Sequence, residues 1–574
     1  MSKGVERSVV WARLRWLAGV LGVFGLVLVA QLVRWQLVDS ADLSEVARRT
    51  HNRRETLDAR RGTVYSTDGR VLSTDVYTYS LSASPAVIED AKAPELADRL
   101  FPLLGLSRDG LITALSGDAV WQPLADGLSI DVADQIAGWE QPGLYLEARL
   151  SRAYPDGSIS EPVLGFVSQA RDGYYGVEGY YDGVLTGAPG AWLGDMALSG
   201  QDAPFGRQVL EPPEDGADLY LTLDSRVQYV LWRELSSALE YYQAPSGTII
   251  AMHPRTAAIL GIVTLPTYDP SEYGQADPSL YEDPVVSHEW EPGSVFKVIT
   301  MAAGLDAGVV TPESTFDDTG IFELAGATIR NWDREAHGTV TMKEILGLSL
   351  NTGASFVSTS LGADRFYDYL SAFGFGQLLG VDLQAEARGS MKRPGDGRWY
   401  EADLATNAFG QGIAVTPLQM LAAVCAVAND GVLMQPYIVE HRVGRDGVSE
   451  TEPKAVRQVI SPETADALTR MMVDAVRDET EAATVPGYDV AGKTGTSQIP
   501  IPGGYHPSDI IASFVGFFPA DDPQLCILVK IDRPQAGQWG SEVAAPVFSK
   551  VASQVAVLLG IEPSSADGTR VASQ

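Results

Sequence analysis

Residues that build metal centres and covalent cross-links are scarce in this sequence. Its 574 residues include two cysteines and six histidines, and neither type shows a zinc-ligand spacing or an H-E-x-x-H pattern. We therefore expect no metal site and no cofactor. Cys425 and Cys526 lie in apolar runs and are expected to be small buried residues, although a disulfide between them stays open.

Positive charge is scarce as well, and it is concentrated at one end of the chain. The formal net charge is −32, of which residues 1–61 carry +5 and the remainder carries −37. An acidic body repels phosphate backbones, so nucleic acid is not an expected partner. The basic end adjoins an apolar stretch, which indicates a membrane surface instead.

A long apolar run extends from Trp16 to Val33, with Gln31 as its one polar side chain. As a helix these eighteen residues would extend about 27 Å, close to the hydrocarbon thickness of a bilayer. Arg15 and Arg34 bracket the run, and basic residues dominate before it. This pattern predicts a cytoplasmic tail over 1–15, a transmembrane helix over 16–34 and an extracytoplasmic remainder. A cleaved signal peptide is the alternative, but no small-x-small cleavage site follows the run.

Residues 35–215 are rich in Gly, Pro and Asp and contain little that suggests catalysis. Short strand-like and helix-like pieces alternate there, and Asp68-Gly69 predicts a hairpin turn between β-branched flanks. We expect this region to be a non-catalytic pedestal domain.

Residues 216–561 have the pattern of an α+β domain. Strand-like segments occur near both of its ends, at 247–252, 258–263, 511–517 and 525–531, whereas 294–480 is mostly helical. Further helices are predicted over 225–242 and 544–559. These segments predict an antiparallel sheet built from both chain ends with a helical insertion, followed by a disordered tail over 562–574.

Ser294-Val-Phe-Lys297 is the first of three motifs that could carry chemistry. It follows Pro292-Gly293 and leads into an apolar helical run. If Ser294 opens that helix, its hydroxyl and the Lys297 amine lie on one face, three positions apart. A buried lysine with a lowered pKa can take the proton of a serine nucleophile, and a helix N-terminus favours a developing oxyanion.

Ser349-Leu-Asn351 is the second motif, and it lies in the helical part. Its serine offers a hydroxyl for proton relay, and its asparagine offers an amide that can hold the lysine or a substrate carbonyl. The spacing S-x-N is common by itself, so this motif carries weight only beside the others.

Lys493-Thr494-Gly495-Thr496 is the third motif, and it follows a strand-like approach. The lysine and both threonines can bind a carboxylate, and Gly495 would let a substrate backbone come close to the strand. In a chain of this length S-x-x-K is expected about once by chance. The three motifs in this order are far less common, and they indicate a serine acyltransferase.

With these motifs the sequence resembles the class B penicillin-binding proteins, which are monofunctional peptidoglycan D,D-transpeptidases. The resemblance covers nearly the whole chain beyond the apolar run. It departs from the family at Leu350, where many members have serine, and at Thr256-Ala-Ala258, where Thr-Gly-Glu is common. Other stretches similar to that family are Arg61-Gly-Thr-Val-Tyr, Arg152-Ala-Tyr-Pro, Gly176-Val-Glu-Gly-Tyr-Tyr-Asp, Leu265-Pro-Thr-Tyr-Asp-Pro, Phe373-Gly-Phe-Gly, Gly410-Gln-Gly-Ile-Ala-Val-Thr-Pro and Ala544-Ala-Pro-Val-Phe.

The resemblance implies a penicillin-binding/β-lactamase-like transpeptidase domain behind an elongated, dimerisation-type pedestal. Ser294 would attack the carbonyl between the last two D-alanines of a stem pentapeptide, and Lys297 would take its proton. The backbone N–H groups of Ser294 and Thr496 would form the oxyanion hole.

The remaining motif residues receive roles in the same way. Ser349, positioned by Asn351 and Lys493, would return the proton to the departing D-alanine. Thr494 and Thr496 would hold the terminal carboxylate, and an amine from a neighbouring stem would then attack the acyl-enzyme. β-Lactams would acylate Ser294 and stay bound.

The resemblance also implies a cellular setting. The protein would be a single-pass protein of the plasma or inner membrane, acting in septal cell-wall synthesis beside a polytopic lipid II glycosyltransferase. An elongation-type transpeptidase is the runner-up role. A membrane-anchored D,D-carboxypeptidase or β-lactamase, with Glu401 as a water-activating base, and a non-enzymatic scaffold or β-lactam sensor are further alternatives.

Overall fold

A computed structural model describes residues 3–40, 52–155, 157–159, 162–195 and 208–564. The chain divides into two compact units, one formed by Met1–Ala59 with Gly187–Asp215 and the other by Arg60–Thr186 with Gly216–Gln574. Of the predicted disordered tail, residues 565–574 lie outside the described residues. The predicted boundaries of the pedestal and transpeptidase domains stay predictions.

An apolar helix opens the first unit. It runs over Lys3–Val33 and continues as a π-helical turn over Arg34–Val38. Its segment Val10–Leu37 has a mean hydropathy of 2.3 and is long and apolar enough to cross a membrane. The helix predicted over 16–34 is confirmed, and it begins earlier because the basic residues before Trp16 do not interrupt helical hydrogen bonding. The same unit contains an antiparallel sheet of Asn52–Leu57, Gly190–Asp195 and Gln208–Glu211.

The N-terminal part of the second unit is a sheet with a small helical layer. The predicted hairpin is confirmed, because Val64–Tyr65 pairs with Val71–Ala83 around Gly69, whose φ is 81°. Gln122–Leu128 and Leu144–Ala153 are further strands of this sheet, and Phe166–Val167 and Gly173–Tyr174 form a separate two-stranded sheet. Its α-helices are Ala93–Leu104, Arg108–Leu115, Ile130–Ala137, Gly176–Tyr180 and Asp182–Leu185.

One strand of this sheet comes from beyond residue 215. Asp218–Leu221 pairs in parallel with Val64–Tyr65 and antiparallel with Val439–Gly444. Leu219 and Leu221 are fully buried between these neighbours. The predicted pedestal and the segment that follows it thus share one sheet.

The main sheet of the second unit has five antiparallel strands. They are β1 (Ser246–Met252), β2 (Ile259–Leu265), β3 (Ala491–Ile501), β4 (Gly504–Phe518) and β5 (Leu525–Asp532), in the order β2-β1-β5-β4-β3. The predicted sheet from both chain ends is confirmed. The third motif lies inside the edge strand β3 and does not merely follow a strand.

Two long helices cover one face of this sheet. Helix α1 (Ser225–Tyr242) is capped at its N-terminus by Asp224, whose side chain accepts from the N–H groups of Arg226 and Val227. Its apolar residues recur on one face and pack with those of the C-terminal helix, Gly540–Leu559, in one buried cluster. The C-terminal helix is also apolar enough to cross a membrane, but half of it is buried here, as a core helix would be.

The helical insertion covers the other face. Its longer helices are α2 (Lys297–Asp306), α3 (Asn351–Leu361), α4 (Pro417–Ala428) and α5 (Pro462–Glu479). The C-terminal helix Gly540–Leu559, which packs with α1, is α6. All twelve residues of α4 are buried, and a capping box of Thr416 and Gln419 starts it. Shorter helices are Pro284–Ser287, Met342–Gly347, Ala363–Ala372 and Glu401–Asn407.

Short antiparallel strand pairs interrupt the insertion, which is therefore less helical than predicted. They pair Thr315–Asp318 with Gly338–Thr341, Ile321–Leu324 with Ala327–Arg330, Val432–Met434 with Ala455–Gln458, and Val439–Gly444 with Gly447–Glu450. Each strand has only a few residues, too few for a period to be read from the sequence. The α+β class itself is confirmed.

Candidate active site

The Ser294 loop lies against the edge strand β3. Ser294 occupies a 3₁₀ turn, Gly293–Phe296, and the α-helix starts only at Lys297. The expectation that Ser294 opens the α-helix is therefore wrong, because the α-helix starts one turn later. The spacing of three residues still puts the side chains of Ser294 and Lys297 on one side. Gly293 has a φ of 60°, and a Cβ there would lie 3.0 Å from the Cβ of Ser497, so the loop approaches the strand as closely as glycine allows.

Lys297 joins the first two motifs. Its side-chain nitrogen lies within hydrogen-bond distance of Ser294 Oγ at 3.0 Å, Ser349 Oγ at 3.2 Å, the Ser349 carbonyl at 2.5 Å and Asn351 Oδ1 at 2.8 Å. The predicted approach of the lysine to the serine hydroxyl is present in the structure.

Burial dominates the electrostatics of Lys297, which is 2% exposed. Desolvation, followed by the charge of Lys493, holds the pKa of Lys297 well below its ordinary value. Within the described part of the chain, no carboxylate forms an ion pair with this lysine. The site therefore favours the neutral amine, which is the form that accepts a proton.

The second motif is held in an unusual backbone conformation. Ser349 has a φ of 59°, in the left-handed region that serine rarely adopts. Helix α3 begins two residues later at Asn351, whose Nδ2 donates to the Arg330 carbonyl at 2.9 Å. This bond orients the amide so that its oxygen faces Lys297.

The third motif lines up along β3. Lys493 is 3% exposed and donates to the carbonyl and the hydroxyl of Thr494, at 3.3 and 3.2 Å. Burial lowers the pKa of Lys493 to about 7. The hydroxyl of Thr496 accepts from the Gly540 N–H at 2.9 Å, which leaves the threonine O–H to act as a donor.

Gly495 is needed for a reason that differs from the one suggested by the sequence. A Cβ at this position would lie 2.4 Å from Ser513 Oγ and 2.9 Å from a methyl of Val295. The missing side chain therefore makes room for buried neighbours beneath the Ser294 loop. A close approach of substrate backbone to Gly495 stays a prediction.

A cleft of about 340 Å³ opens in front of these groups. Ser294, Ser349, Asn351, Thr494 and Thr496 line it, while Lys297 and Lys493 are buried. Sequence reasoning missed several residues of its wall, and single aromatic or amide residues leave no pattern that could have found them. The missed residues include Trp332, Phe409, Gln411 and the carboxylate of Glu479.

Two tryptophans meet at the mouth of the cleft. Trp332 and Trp539 line it, with ring centroids 5.1 Å apart in an edge-to-face arrangement. Trp290, by contrast, is buried and lines a different cavity.

Glu401 does not support the hydrolase alternatives. It is exposed at the first turn of the helix Glu401–Asn407 and does not line the cleft. His506 Nδ1 accepts from the backbone N–H groups of Ser508 and Asp509.

Comparisons with known proteins agree with this geometry. The family model of the penicillin binding protein transpeptidase domain matches residues 247–553, and that of the penicillin-binding protein dimerisation domain matches residues 56–221. The chain is 34% identical to stage V sporulation protein D of Bacillus subtilis, over 92% of this chain and 83% of that protein. It is 27% identical to the peptidoglycan D,D-transpeptidase FtsI of Escherichia coli, over 88% of this chain and 84% of that protein.

A solved structure has the same fold. Penicillin binding protein 3 of Mycobacterium tuberculosis, complexed with aztreonam, matches with a TM-score of 0.69 at 25% identity, over 89% of this chain and 98% of that chain. Since two family models and relatives along most of the chain agree with the resemblance of the motifs, this chain belongs to the class B penicillin-binding proteins, the family of peptidoglycan D,D-transpeptidases.

Proposed function

We propose that this protein cross-links peptidoglycan stem peptides through an acyl-enzyme on Ser294, with neutral Lys297 as the base. The observation that carries this proposal is the Lys297 amine, 3.0 Å from Ser294 Oγ, buried and with a lowered pKa. In the first step the Ser294 O–H proton passes to Lys297 Nζ while Oγ bonds to the carbonyl carbon of the penultimate D-alanine. The carbonyl oxygen becomes an oxyanion.

The oxyanion would be held by the backbone N–H groups of Ser294 and Thr496. The close contact of Gly293 with β3 supports this pairing, since a Cβ there would lie 3.1 Å from the Thr496 carbonyl. Donors fixed in advance need no reorganisation when the charge develops.

Collapse of the tetrahedral intermediate breaks the C–N bond, and the leaving D-alanine amine needs a proton. We assign its delivery to Ser349 Oγ, which Lys297 can reprotonate at 3.2 Å. Asn351 would keep Lys297 in place. Lys493, Thr494 and Thr496 would bind the terminal carboxylate, and Gly495 would contribute through its backbone. An amine of a second stem would then attack the ester and release Ser294.

Mass spectrometry of the intact protein after penicillin treatment tests these assignments. We expect one adduct, located on Ser294 by peptide mapping, and none in Ser294→Ala. Lys297→Ala should also remain unlabelled, whereas Lys343→Ala should be labelled normally, because Lys343 pairs with Asp474 on the surface. An adduct on another serine, or normal labelling of Lys297→Ala, would contradict the mechanism.

The acceptor decides between transpeptidation and hydrolysis. We propose a stem amine as the acceptor, because Glu401, the candidate water-activating base, lies outside the cleft wall. A bound fluorescent penicillin should stay on the protein for many minutes. Release within seconds would favour the carboxypeptidase or β-lactamase alternative.

The apolar helix supports a membrane location. We propose that it crosses the plasma or inner membrane once, with the catalytic part outside the cytoplasm and a polytopic lipid II glycosyltransferase as partner. We further propose a septal role, with elongation as the alternative. Depletion should give filamentous cells if the role is septal, and rounded cells if the enzyme serves elongation.

A further inference from the structure

The carboxylate of Glu291 connects two segments on either side of the Ser294 loop. Glu291 lies three residues before Ser294 and is half-buried. Its Oε1 accepts from the Gly412 N–H at 3.0 Å, and its Oε2 accepts from the Tyr505 hydroxyl at 3.0 Å. Both carboxylate oxygens are therefore used, each by a different segment.

The first segment, residues 410–415, runs alongside the Ser294 loop. Trp290 and Val415 exchange two backbone hydrogen bonds of 2.9 Å, and the Gly293 N–H donates to the Gly410 carbonyl at 3.2 Å. A Cβ at Gly410 would lie 2.3 Å from the Gly293 carbonyl oxygen. Backbone contacts alone already fix this segment, so the Gly412 bond holds Glu291 itself in place.

The second segment is the far end of the β3–β4 hairpin. Tyr505 faces Pro500 in the ladder, whereas β4 pairs with β5 only from Ile511 onward. Residues 498–510 therefore extend beyond the strand that supports the rest of β4. The Tyr505–Glu291 bond ties this extension to the Ser294 loop.

The same hairpin carries the groups that must face Ser294. Thr494 and Thr496 lie on β3, and the backbone of Thr496 is in close contact with Gly293. A hairpin that pivots at its unsupported end would change the spacing between Ser294 and the Thr496 N–H. Misplacements well below 1 Å are enough to slow an acylation step severalfold.

We propose that Glu291 is a positioning residue: through Tyr505 it ties the Ser294 loop to the β3–β4 hairpin and sets the spacing between the nucleophile and the oxyanion donor on β3. The proposal rests on the acylation of Ser294 proposed above. The Tyr505 hydroxyl lies 3.0 Å from Glu291 Oε2, within the range of an O–H···O hydrogen bond. Burial acts on both partners and raises the pKa of Glu291 and of Tyr505.

The test separates the acylation rate constant from the affinity for penicillin by stopped-flow fluorescence. Tyr505→Phe should lower the acylation rate constant about tenfold, because the oxyanion donor is misaligned, while the dissociation constant and the melting temperature change little. Tyr369→Phe is the matched control, since its hydroxyl donates to Asp306 at 2.7 Å, outside the cleft wall. It should lower the melting temperature and leave acylation unchanged.

A double-mutant cycle adds a second readout. If Glu291 acts through Tyr505, Glu291→Gln combined with Tyr505→Phe should acylate no more than about twofold slower than the slower single variant. Acylation of Tyr505→Phe at the wild-type rate, additive effects in the cycle, or losses of rate that follow the melting temperature in both tyrosine variants would each overturn the proposal. A wild-type protein that penicillin does not label would instead overturn the function proposed for Ser294.

Discussion

The second unit buries two groups of cations, and their surroundings differ. Lys297 and Lys493 are buried beside hydroxyl, amide and carbonyl oxygens. Near the N-terminal sheet, Arg61 and Arg152 are buried against carboxylates: Arg61 Nε lies 2.6 Å and Arg152 Nη2 lies 2.7 Å from Glu178. Asp75 and Asp182 complete the second group.

Burial has opposite consequences in the two places. Desolvation lowers the pKa of both lysines, because no carboxylate offsets it in their described surroundings. For Arg61, desolvation is outweighed by Glu178 and Asp182, and its pKa is raised. Glu178 is likewise desolvated, yet Arg152 and Arg61 lower its pKa. Burial therefore lowers the pKa of a lysine, and favours its neutral form, where no carboxylate pairs with it.

The largest expected effect follows from replacing Lys297 with arginine, the buried cation found near the N-terminal sheet. Lys297→Arg should lower penicillin acylation about 10³-fold, because a guanidinium keeps its proton and cannot accept one from Ser294. Stopped-flow acylation measures this. Lys343→Arg should react as the wild type does, and a Lys297→Arg variant within tenfold of wild type would remove the amine from the base role.

The second largest effect is expected when Glu178, the carboxylate shared by Arg61 and Arg152, is neutralised. Glu178→Gln should lower the free energy of unfolding by about 3–5 kcal/mol, because Arg61 and Arg152 lose a shared buried carboxylate. Urea unfolding followed by circular dichroism measures the loss. Asp98→Asn is the control, since the Asp98–Arg108 pair is exposed and its loss should not change the unfolding midpoint measurably. Equal stability of Glu178→Gln and wild type would mean that the ion pairs do not stabilise the fold.

The pH profile of acylation distinguishes the two lysines. The rate should rise with pH as Lys297 loses its proton. It should then fall about tenfold per pH unit well above the pKa of Lys493, which burial lowers to about 7, because the Lys493 charge is lost. Lys493→Arg should retain the rising limb and move the falling limb to higher pH, because arginine stays charged. An unchanged falling limb in Lys493→Arg would assign that limb to another group.

The smallest expected effect is a gain in stability. Lys493→Met should raise the free energy of unfolding by about 1–2 kcal/mol at pH 6, while abolishing activity. The folded pKa of about 7 lies below the ordinary 10.5, so the charged lysine opposes folding most below pH 7. The gain should therefore shrink as pH rises toward 10.5. Urea unfolding at pH 6 and pH 10 checks the sign, and a gain that grows with pH would contradict it.

Much of the architecture could be predicted from local patterns. The period of apolar residues from Val227 to Leu239 predicted α1 with its observed bounds, and short apolar runs bounded by turn residues predicted four strands of the main sheet. The strand Asp218–Leu221 could also be recognised, but its partners could not, because alternation identifies a strand without identifying its neighbours.

The site was predictable to a similar extent. The three motifs supplied the residues, but their meeting depended on a family resemblance, since nothing local brings Lys297 to Ser349 and Asn351. The positive φ of Ser349 and the position of Trp332 at the cleft depend on tertiary packing that short segments do not encode. The Glu291–Tyr505 bond likewise joins residues far apart in the chain.

The shared strand Asp218–Leu221 has a practical consequence for anyone who dissects this protein. A fragment that starts at Gly216 would retain Leu219 and Leu221 but lose Val64–Tyr65, the neighbour on one side. The exposed edge and its apolar side chains would invite intermolecular pairing. A soluble catalytic fragment should therefore start near Asn52, which keeps Val64–Tyr65, the Arg61 ion pairs and the strand that pairs with Gly190–Asp195 in the same piece.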